Sequence, residues 1–319
     1  MARRILVPLD GSSTSEAVLP QAVRLARRTN SEVLLVRAEL PIYMMEGYTP
    51  VFDSVPAASR EYLAGVGEKL AAQGVRARVI DRVGAPGDVI LRVAREQHVT
   101  LIAMATHGRS GLTRVLLGSV TEEVLRASPV PVYVLRPFPS YEIAQAGRPG
   151  DGRPMKILVP LDGSALQRAA VPQALKFAVL FHARVILLRV LGPVLKKATP
   201  TPADEEQIEE ALRALREAAF QVSAAGVDCL TLLEEGEAAP RILSIAREHD
   251  VDLIAMATHG RRGISRLVFG SVTEKVLREA PVPMLVVNAG AFAPGKLRRG
   301  SRGAGRRNSP ERIGGGGRI

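Results

Sequence analysis

The chain has 319 residues, 46% of them hydrophobic and 24% charged, which suits two or three soluble domains at ~100–200 residues each. Its apolar runs are short, as in Val185–Leu188 between Arg184 and Arg189, far below the ~20 residues that cross a bilayer. The stretch after Met1–Arg4 turns acidic at Asp10, too soon for a secretory leader, and the single cysteine, Cys229, excludes an intrachain disulfide, so a cytoplasmic chain with no membrane partner is expected.

In chain order, Arg4–Leu9 is a short β-rich run and predicts the first strand. Ser13–Arg28 carries helical spacing, with Val18, Ala22, Leu25 and Ala26 toward the core and Pro20 predicting a kink or a shortened first turn. Val33–Val36 is a continuously apolar strand, and Pro41–Pro56 is irregular. Ser59–Gln73 reads as a helix stopped by Gly74, a C-cap residue. A strand over Arg76–Val83, a helix over Asp88–Gln97, a strand over Leu101–Ala105, a helix over Ser119–Ala127 and a strand over Val130–Leu135 complete the unit.

The unit then occurs again. Ile5–Ser12 recurs letter for letter as Ile157–Ser164, Leu101–Arg109 as Leu253–Arg261, and Gly118–Glu122 as Gly270–Glu274, always 152 residues later. That period is domain-sized, beyond the roughly 20–50 residues of a solenoid repeat, so a duplicated domain is predicted. The boundaries expected are a first domain over 1–138, a Pro- and Gly-rich linker over 139–154, a second domain over 155–288, and a Gly/Arg tail over 289–319 that cannot bury a core and is expected to be disordered. In the second copy Pro202–Ala225 supplies the matching second helix. The tail has eight basic residues and one acid, and so carries +7 of the net charge of +11. Apolar strands alternating with helices imply a parallel sheet covered on both faces, a doubly wound α/β fold in each copy.

Such sheets bind ligands beyond the strand carboxyl ends, where strand order reverses. Two blocks land there: Asp10-Gly11-Ser12, and the loop from Ala105 to Gly118-Ser119, which opens a helix. A helix start offers free N–H groups and positive potential to phosphate, and Gly108 and Gly118 permit close backbone approach. The same residues have a bland reading, since Ser119-Val-Thr-Glu122 and Ser271-Val-Thr-Glu274 both match a capping box and need no ligand. Neither the Walker A pattern nor the Rossmann glycine fingerprint is present.

The whole loop resembles the signature of the universal stress protein family: glycine, two residues, glycine, nine residues, then Gly-Ser or Gly-Thr. Here it reads Ala105, Gly108, Gly118-Ser119, and again Ala257, Gly260, Gly270-Ser271. Val7–Ser12 and Ser128–Val134 are also similar to the family's opening and closing blocks, so the resemblance covers about 3–136 and 155–287. It implies two tandem Rossmann-like domains of the adenine nucleotide alpha hydrolase-like type, each with a mostly five-stranded parallel sheet, and an ATP site in one or both, with or without Mg2+. In the first copy it implies that Asp10 contacts the adenosine, Pro8 and Leu9 line the adenine, Ala38 packs on the base, Met104, Ala105 and Gly108 follow the ribose and phosphates, and Gly118, Ser119 and Val120 hold the phosphates. The second copy offers Pro160, Leu161, Asp162, Val190, Met256, Ala257, Gly260, Gly270, Ser271 and Val272. Ala105 and Ala257 depart from the family's first glycine; alanine is harmless there at negative φ and strained at positive φ.

Arg109 and Arg261 are candidate contacts to the outer phosphates, or solvated loop arginines. His107 and His259 read as loop-shaping residues beside the nucleotide, and His98, His182 and His249 as structural or exposed. No metal-ligand spacing and no catalytic triad can be assembled from the motifs, so no catalytic residue is assigned. A nucleotide-dependent stress sensor or regulator is the function expected, with a non-nucleotide interaction module and a slow ATPase as alternatives. The resemblance also implies that the last strands pair, Val130–Leu135 with Val282–Val287, making an internal pseudo-dimer. A homodimer and weak non-specific nucleic-acid binding by the tail are further partner readings that the sequence leaves open.

Overall fold

The computed structural model describes residues 3–40, 56–106, 118–136, 154–164, 169–193, 201–258 and 270–292. The first copy contributes β1 (Arg4–Pro8), α1 (Ser13–Glu16), α2 (Leu19–Thr29), β2 (Glu32–Glu39), α3 (Ala57–Ala72), β3 (Ala77–Val83), α4 (Pro86–Glu96), β4 (Leu101–Ala105), α5 (Ser119–Ala127) and β5 (Val132–Leu135). The second contributes β6 (Lys156–Leu161), α6 (Ala170–Phe181), β7 (Arg184–Leu191), α7 (Pro202–Ala224), β8 (Cys229–Glu235), α8 (Ala238–Glu248), β9 (Leu253–Thr258), α9 (Ser271–Glu279) and β10 (Met284–Asn288), followed by α10 (Ala289–Phe292).

The ten strands form one sheet in the order β3-β2-β1-β4-β5-β10-β9-β6-β7-β8. Pairing is parallel throughout each half, as the continuous apolar strands predict, and antiparallel only where β5 meets β10. Side chains alternate across a strand, so odd and even positions of β1 feed different layers. Ile5 and Val7 pack with α2, α3, α6 and α7 on one face, and Leu6 packs with α4, α5, α8 and α9 on the other. Both core layers run unbroken through the two halves.

Two local differences from the sequence reading have simple causes. The helix expected over Ser13–Arg28 is two helices, interrupted at Ala17 and Val18. Pro20 thereby falls in the first turn of α2, where its missing N–H has no partner to lose. β2 runs on to Glu39, past its apolar stretch, because its ladder with β3 continues through Arg37, Ala38 and Glu39. Gly74 does stop α3, at φ +72, and Gly226 does the same for α7.

The seam between halves is built twice over by residues at matching positions. Val132, Tyr133 and Val134 pair with Val286, Leu285 and Met284, and all six are buried. Beyond the strand ends, the Arg136 guanidinium donates to the Arg278 carbonyl at the end of α9, and Asn288 Nδ2 donates to the Arg126 carbonyl at the end of α5 (2.8 Å). The last carbonyls of a helix have no intrahelical partner, so each half caps a helix of the other. A second contact joins α2 to α6: Arg28 Nε donates to the Leu180 carbonyl at 2.8 Å, and the Arg24 guanidinium lies 5.9 Å from the centre of the Phe181 ring.

Asn288→Ala should therefore destabilise the chain by about 1–2 kcal/mol in urea denaturation, since it strands the Arg126 carbonyl and removes the acceptor of the Gly290 N–H. Asn288→Asp, which turns a buried carboxylate toward that carbonyl, should cost at least as much as Asn288→Ala.

Candidate functional site

Strand order reverses beside β1, which pairs with β2 on one side and β4 on the other; β6 repeats this between β7 and β9. The carboxyl ends of β1 and β4, and of β6 and β9, are thus the places where a doubly wound sheet opens a crevice.

At the end of β1 the Leu9 N–H makes a last ladder bond to the Val36 carbonyl (2.8 Å), and the chain then turns through Asp10-Gly11-Ser12. Asp10 Oδ1 accepts from the Ser12 N–H (2.9 Å) and from the Ser12 hydroxyl (2.6 Å). Ser12 in turn caps α1, its Oγ accepting from the Ser15 N–H at 3.1 Å. Partial burial pushes the Asp10 carboxyl up, but the hydrogen bonds from Ser12 and Ser15 outweigh it and hold the group below the ordinary aspartate value. Gly11 sits at φ +88, which L side chains rarely adopt. The second half repeats the turn: Ser164 N–H donates to Asp162 Oδ1 at 2.8 Å, and Gly163 has φ +83. Asp10 and Asp162 are both exposed at the crevice.

The capping boxes do not form. Gly118 is the N-cap of α5 and Gly270 that of α9, each extended (φ −60, ψ 143) and without a side-chain cap bond. Ser119 and Ser271 are thereby first-turn residues, one place too late to cap. Glu122 and Glu274 close their first backbone bonds onto the Gly118 and Gly270 carbonyls, 3.0 Å in each case. Both helix starts thus present N–H groups with no capping side chain among the described residues, in positive local potential.

Around this opening the structure gathers some of the expected residues and separates others. Ala38, Met104 and Val120 pack in one layer, as do Val190, Met256 and Val272 in the second half. Pro8 and Pro160 stand opposite Val36 and Leu188 on the neighbouring strands. Leu9, Ala105, Leu161 and Ala257 belong to the opposite layer, and Leu9 and Leu161 are buried in its core. Ala105 and Ala257 are strand residues without positive φ, so alanine is unstrained there. His107, Gly108, Arg109, His259, Gly260 and Arg261 lie outside the described residues.

Sequence reasoning missed Arg37 and Arg189, which sit one residue before Ala38 and Val190. The Arg37 guanidinium lies 3.2 Å from where a Cβ on Gly11 would stand, and Arg189 Nη1 donates to the Leu161 carbonyl at 3.2 Å. Their signal was available: an arginine interrupting an apolar strand at the same place in both copies. Arg37 also lies 5.4 Å from the centre of the Tyr62 ring and pairs with Glu39 (2.8 Å). The Tyr62 hydroxyl donates to Glu16 (2.8 Å), and burial together with that carboxylate pushes its pKa well up. Among the described residues no group of three His, Cys, Asp or Glu side chains is placed to hold a metal ion. Cys229 is half-buried, and burial followed by the neighbouring Asp228 raises its pKa, which suppresses the thiolate.

Fold and opening together define a tandem doubly wound α/β protein with one crevice of the same design in each half. Residues 1–136 and again 154–288 match the family described as the universal stress protein family, and the chain belongs to that family. It is 32% identical over 161 residues to a universal stress protein of Methanocaldococcus jannaschii, covering 49% of this chain and 95% of that one. It is 28% identical over 303 residues to a universal stress protein of Mycolicibacterium smegmatis, covering 89% and 96% respectively. The crystal structure of a universal stress protein from Archaeoglobus fulgidus superposes with a TM-score of 0.69 over 90% of this chain and 98% of that one, at 24% identity, and so shares the fold.

Two outcomes follow from the turns. Gly11→Ala or Gly163→Ala should each cost about 1–2 kcal/mol of stability in urea, because the turn needs positive φ. The ionised Asp10 stabilises the native turn above the ordinary value of 3.8, and this is lost as pH falls through its lowered native value. Asp10→Asn should flatten the acid limb of the stability profile below about pH 4, as read by urea midpoints across pH.

Proposed function

We propose that this protein is a nucleotide-dependent stress-response regulator of the cytoplasm, binding an adenine nucleotide, ATP foremost, in each of two domains spanning 1–138 and 155–288. The observation that carries the reading is the pair of helix starts, α5 and α9, that open on the crevice without a capping side chain. An anion placed there accepts hydrogen bonds from first-turn N–H groups and meets the positive end of the helix dipole. Family membership and the resemblance of the loop between Ala105 and Ser119 to the family's nucleotide signature support the same ligand.

In this reading Gly118, Ser119 and Val120 hold phosphate oxygens, and Gly270, Ser271 and Val272 do so in the second half. Asp10 and Asp162, each oriented by the backbone N–H of the serine two residues on, accept from the sugar hydroxyls. Ala38 and Met104, or Val190 and Met256, offer apolar surface to the base beside Pro8 or Pro160. Asp10 already accepts two bonds from Ser12, so a magnesium ion is brought by the phosphates rather than held by a protein cluster. A bound nucleotide supplies the signal, since the number of its phosphates sets the charge that the helix starts meet.

Denaturing freshly purified protein and identifying what is released by chromatography and mass spectrometry should yield an adenine nucleotide, up to two per chain. None released, with no heat on titrating Mg-ATP, overturns the reading and leaves a protein-interaction module. Substituting both helix-start serines, Ser119→Asp and Ser271→Asp, makes opposite demands on stability and binding. Each new carboxylate should favour its helix dipole by about 0.3–1 kcal/mol, raising Tm, while weakening ATP at least about tenfold by repelling phosphate. A higher Tm with unchanged ATP affinity would place the phosphates elsewhere.

A further inference from the structure

We propose a second kind of ligand site, separate from both crevices: the groove between α2 and α6, where Arg24, Arg27 and Arg28 hold a compact polyphosphate anion. It uses no residue of the nucleotide reading above and stands or falls apart from it.

Where α2 meets α6, an open groove of about 670 Å3 follows the contact. That size lies within the roughly 300–1,000 Å3 of small-molecule sites. Pro20 and Val23 of α2 and Phe181 of α6 form its apolar lining, and Arg24, Arg27 and Arg28 its charged lining. Spacing of three and four residues sets the arginines on one face of α2, with stems about 5–6 Å apart.

Each guanidinium is held in place, and none is neutralised. Arg27 donates from Nε (2.9 Å) and from Nη2 to the Gln73 carbonyl at the end of α3. Arg28 donates to the Leu180 carbonyl, and Arg24 lies over the Phe181 ring. Among the described residues none of the three forms an ion pair. Neither α2 nor α6 contains Asp or Glu, α6 adds Lys176, and α3 sets Glu68 beside Lys69 near its end. The two helices thus carry +4, as much as the whole of 1–288, since the tail accounts for +7 of the +11.

The fold does not need this cluster, as the second half shows. At the offset of 152 residues, Lys176, Val179 and Leu180 stand for Arg24, Arg27 and Arg28. α6 forms all the same, and α7 ends at Gly226 with φ +72, as α3 ends at Gly74 with φ +72. Val179 and Ala225, the counterparts of Arg27 and Gln73, line an open notch of about 360 Å3. A helix dipole favours cations in the last turn, which covers Arg27 and Arg28 but not Arg24. Like charges three and four residues apart oppose the helix, so a ligand that brings the missing counter-charge gains from all three at once.

That ligand must concentrate its charge. A single carboxylate answers one guanidinium, whereas a di- or triphosphate sets anionic oxygens side by side, in the geometry the guanidinium fork matches. Apart from Gln73, whose amide donates to the Lys69 carbonyl, the rest of the lining is apolar. It offers no partners to the backbone groups that an acidic peptide would bring.

The test is calorimetric titration of the full chain with tripolyphosphate at about 0.15 M ionic strength. Saturable binding should weaken at least about tenfold in Arg24→Gln, and again in Arg27→Val with Arg28→Leu, which writes the second half's residues into the first. Arg24→Lys should retain most of the affinity, and orthophosphate should bind at least about tenfold more weakly than tripolyphosphate. Ser119→Asp with Ser271→Asp, directed at the crevices, should leave this binding intact. In that serine variant, ATP binding as tightly as tripolyphosphate names a nucleotide as the source of the phosphate chain, and tripolyphosphate alone names an inorganic one; both uphold the site. Arg24→Gln breaks no hydrogen bond, so it decides the matter even if the double arginine variant fails to fold. No saturable binding, equal binding in Arg24→Gln, or loss in the serine variant instead overturns the proposal. So does an oligo-aspartate peptide that binds more tightly than tripolyphosphate, which would make the partner an acidic protein.

Discussion

A parallel five-stranded sheet ends in bare rows of backbone N–H and C=O groups, and the pairing of β5 with β10 removes one such row from each half. The rest of the molecule is arranged around that junction. Because each half is internally parallel and the junction antiparallel, the carboxyl ends of the two sets of strands face opposite directions. The two crevices therefore open at opposite ends of one sheet. The two helical layers pass across the junction without a gap, so the halves share their cores rather than merely touching.

α5 and α9 are where junction and crevice meet. Each starts at a crevice, with a glycine N-cap and open N–H groups, and ends at the seam, with a carbonyl held by the other half. At 1.5 Å per residue the nine residues of α5 span only about 13 Å. The same short helix is thus fixed at one end by the neighbouring domain and offers the other to a ligand.

The architecture was legible in the sequence because it rests on signals that repeat. Continuous apolar runs such as Leu101–Ala105 declared buried parallel strands, and identical blocks 152 residues apart declared the duplication. The misreadings come from features a local pattern does not contain. Ser119-Val-Thr-Glu122 has the letters of a capping box, yet Gly118 takes the cap position, and only the backbone decides between them. Arg37, on β2, acquired its meaning from Tyr62 on α3, and no spacing rule links the two. The burial of Leu9 opposite Ala38 could have been read, since alternation along β1 puts Leu9 with Ile5 and Val7 rather than with Leu6.

The seam also bears on how such a protein behaves at low abundance. Three strand pairs, two capping bonds, the α2–α6 contacts and the shared core layers join the halves, and separate domains would hold such a junction only at sufficient concentration. Joined in one chain, the halves see each other at an effective concentration set by the connection, in the millimolar range for a short flexible one, whatever the cell contains. Dilution does not part them. Nor does symmetry bind them: a homodimer must use one residue on both sides of its axis, whereas here arginine caps one helix and asparagine the other. Duplication within the chain freed each half to drift from its twin without losing the partner it needs.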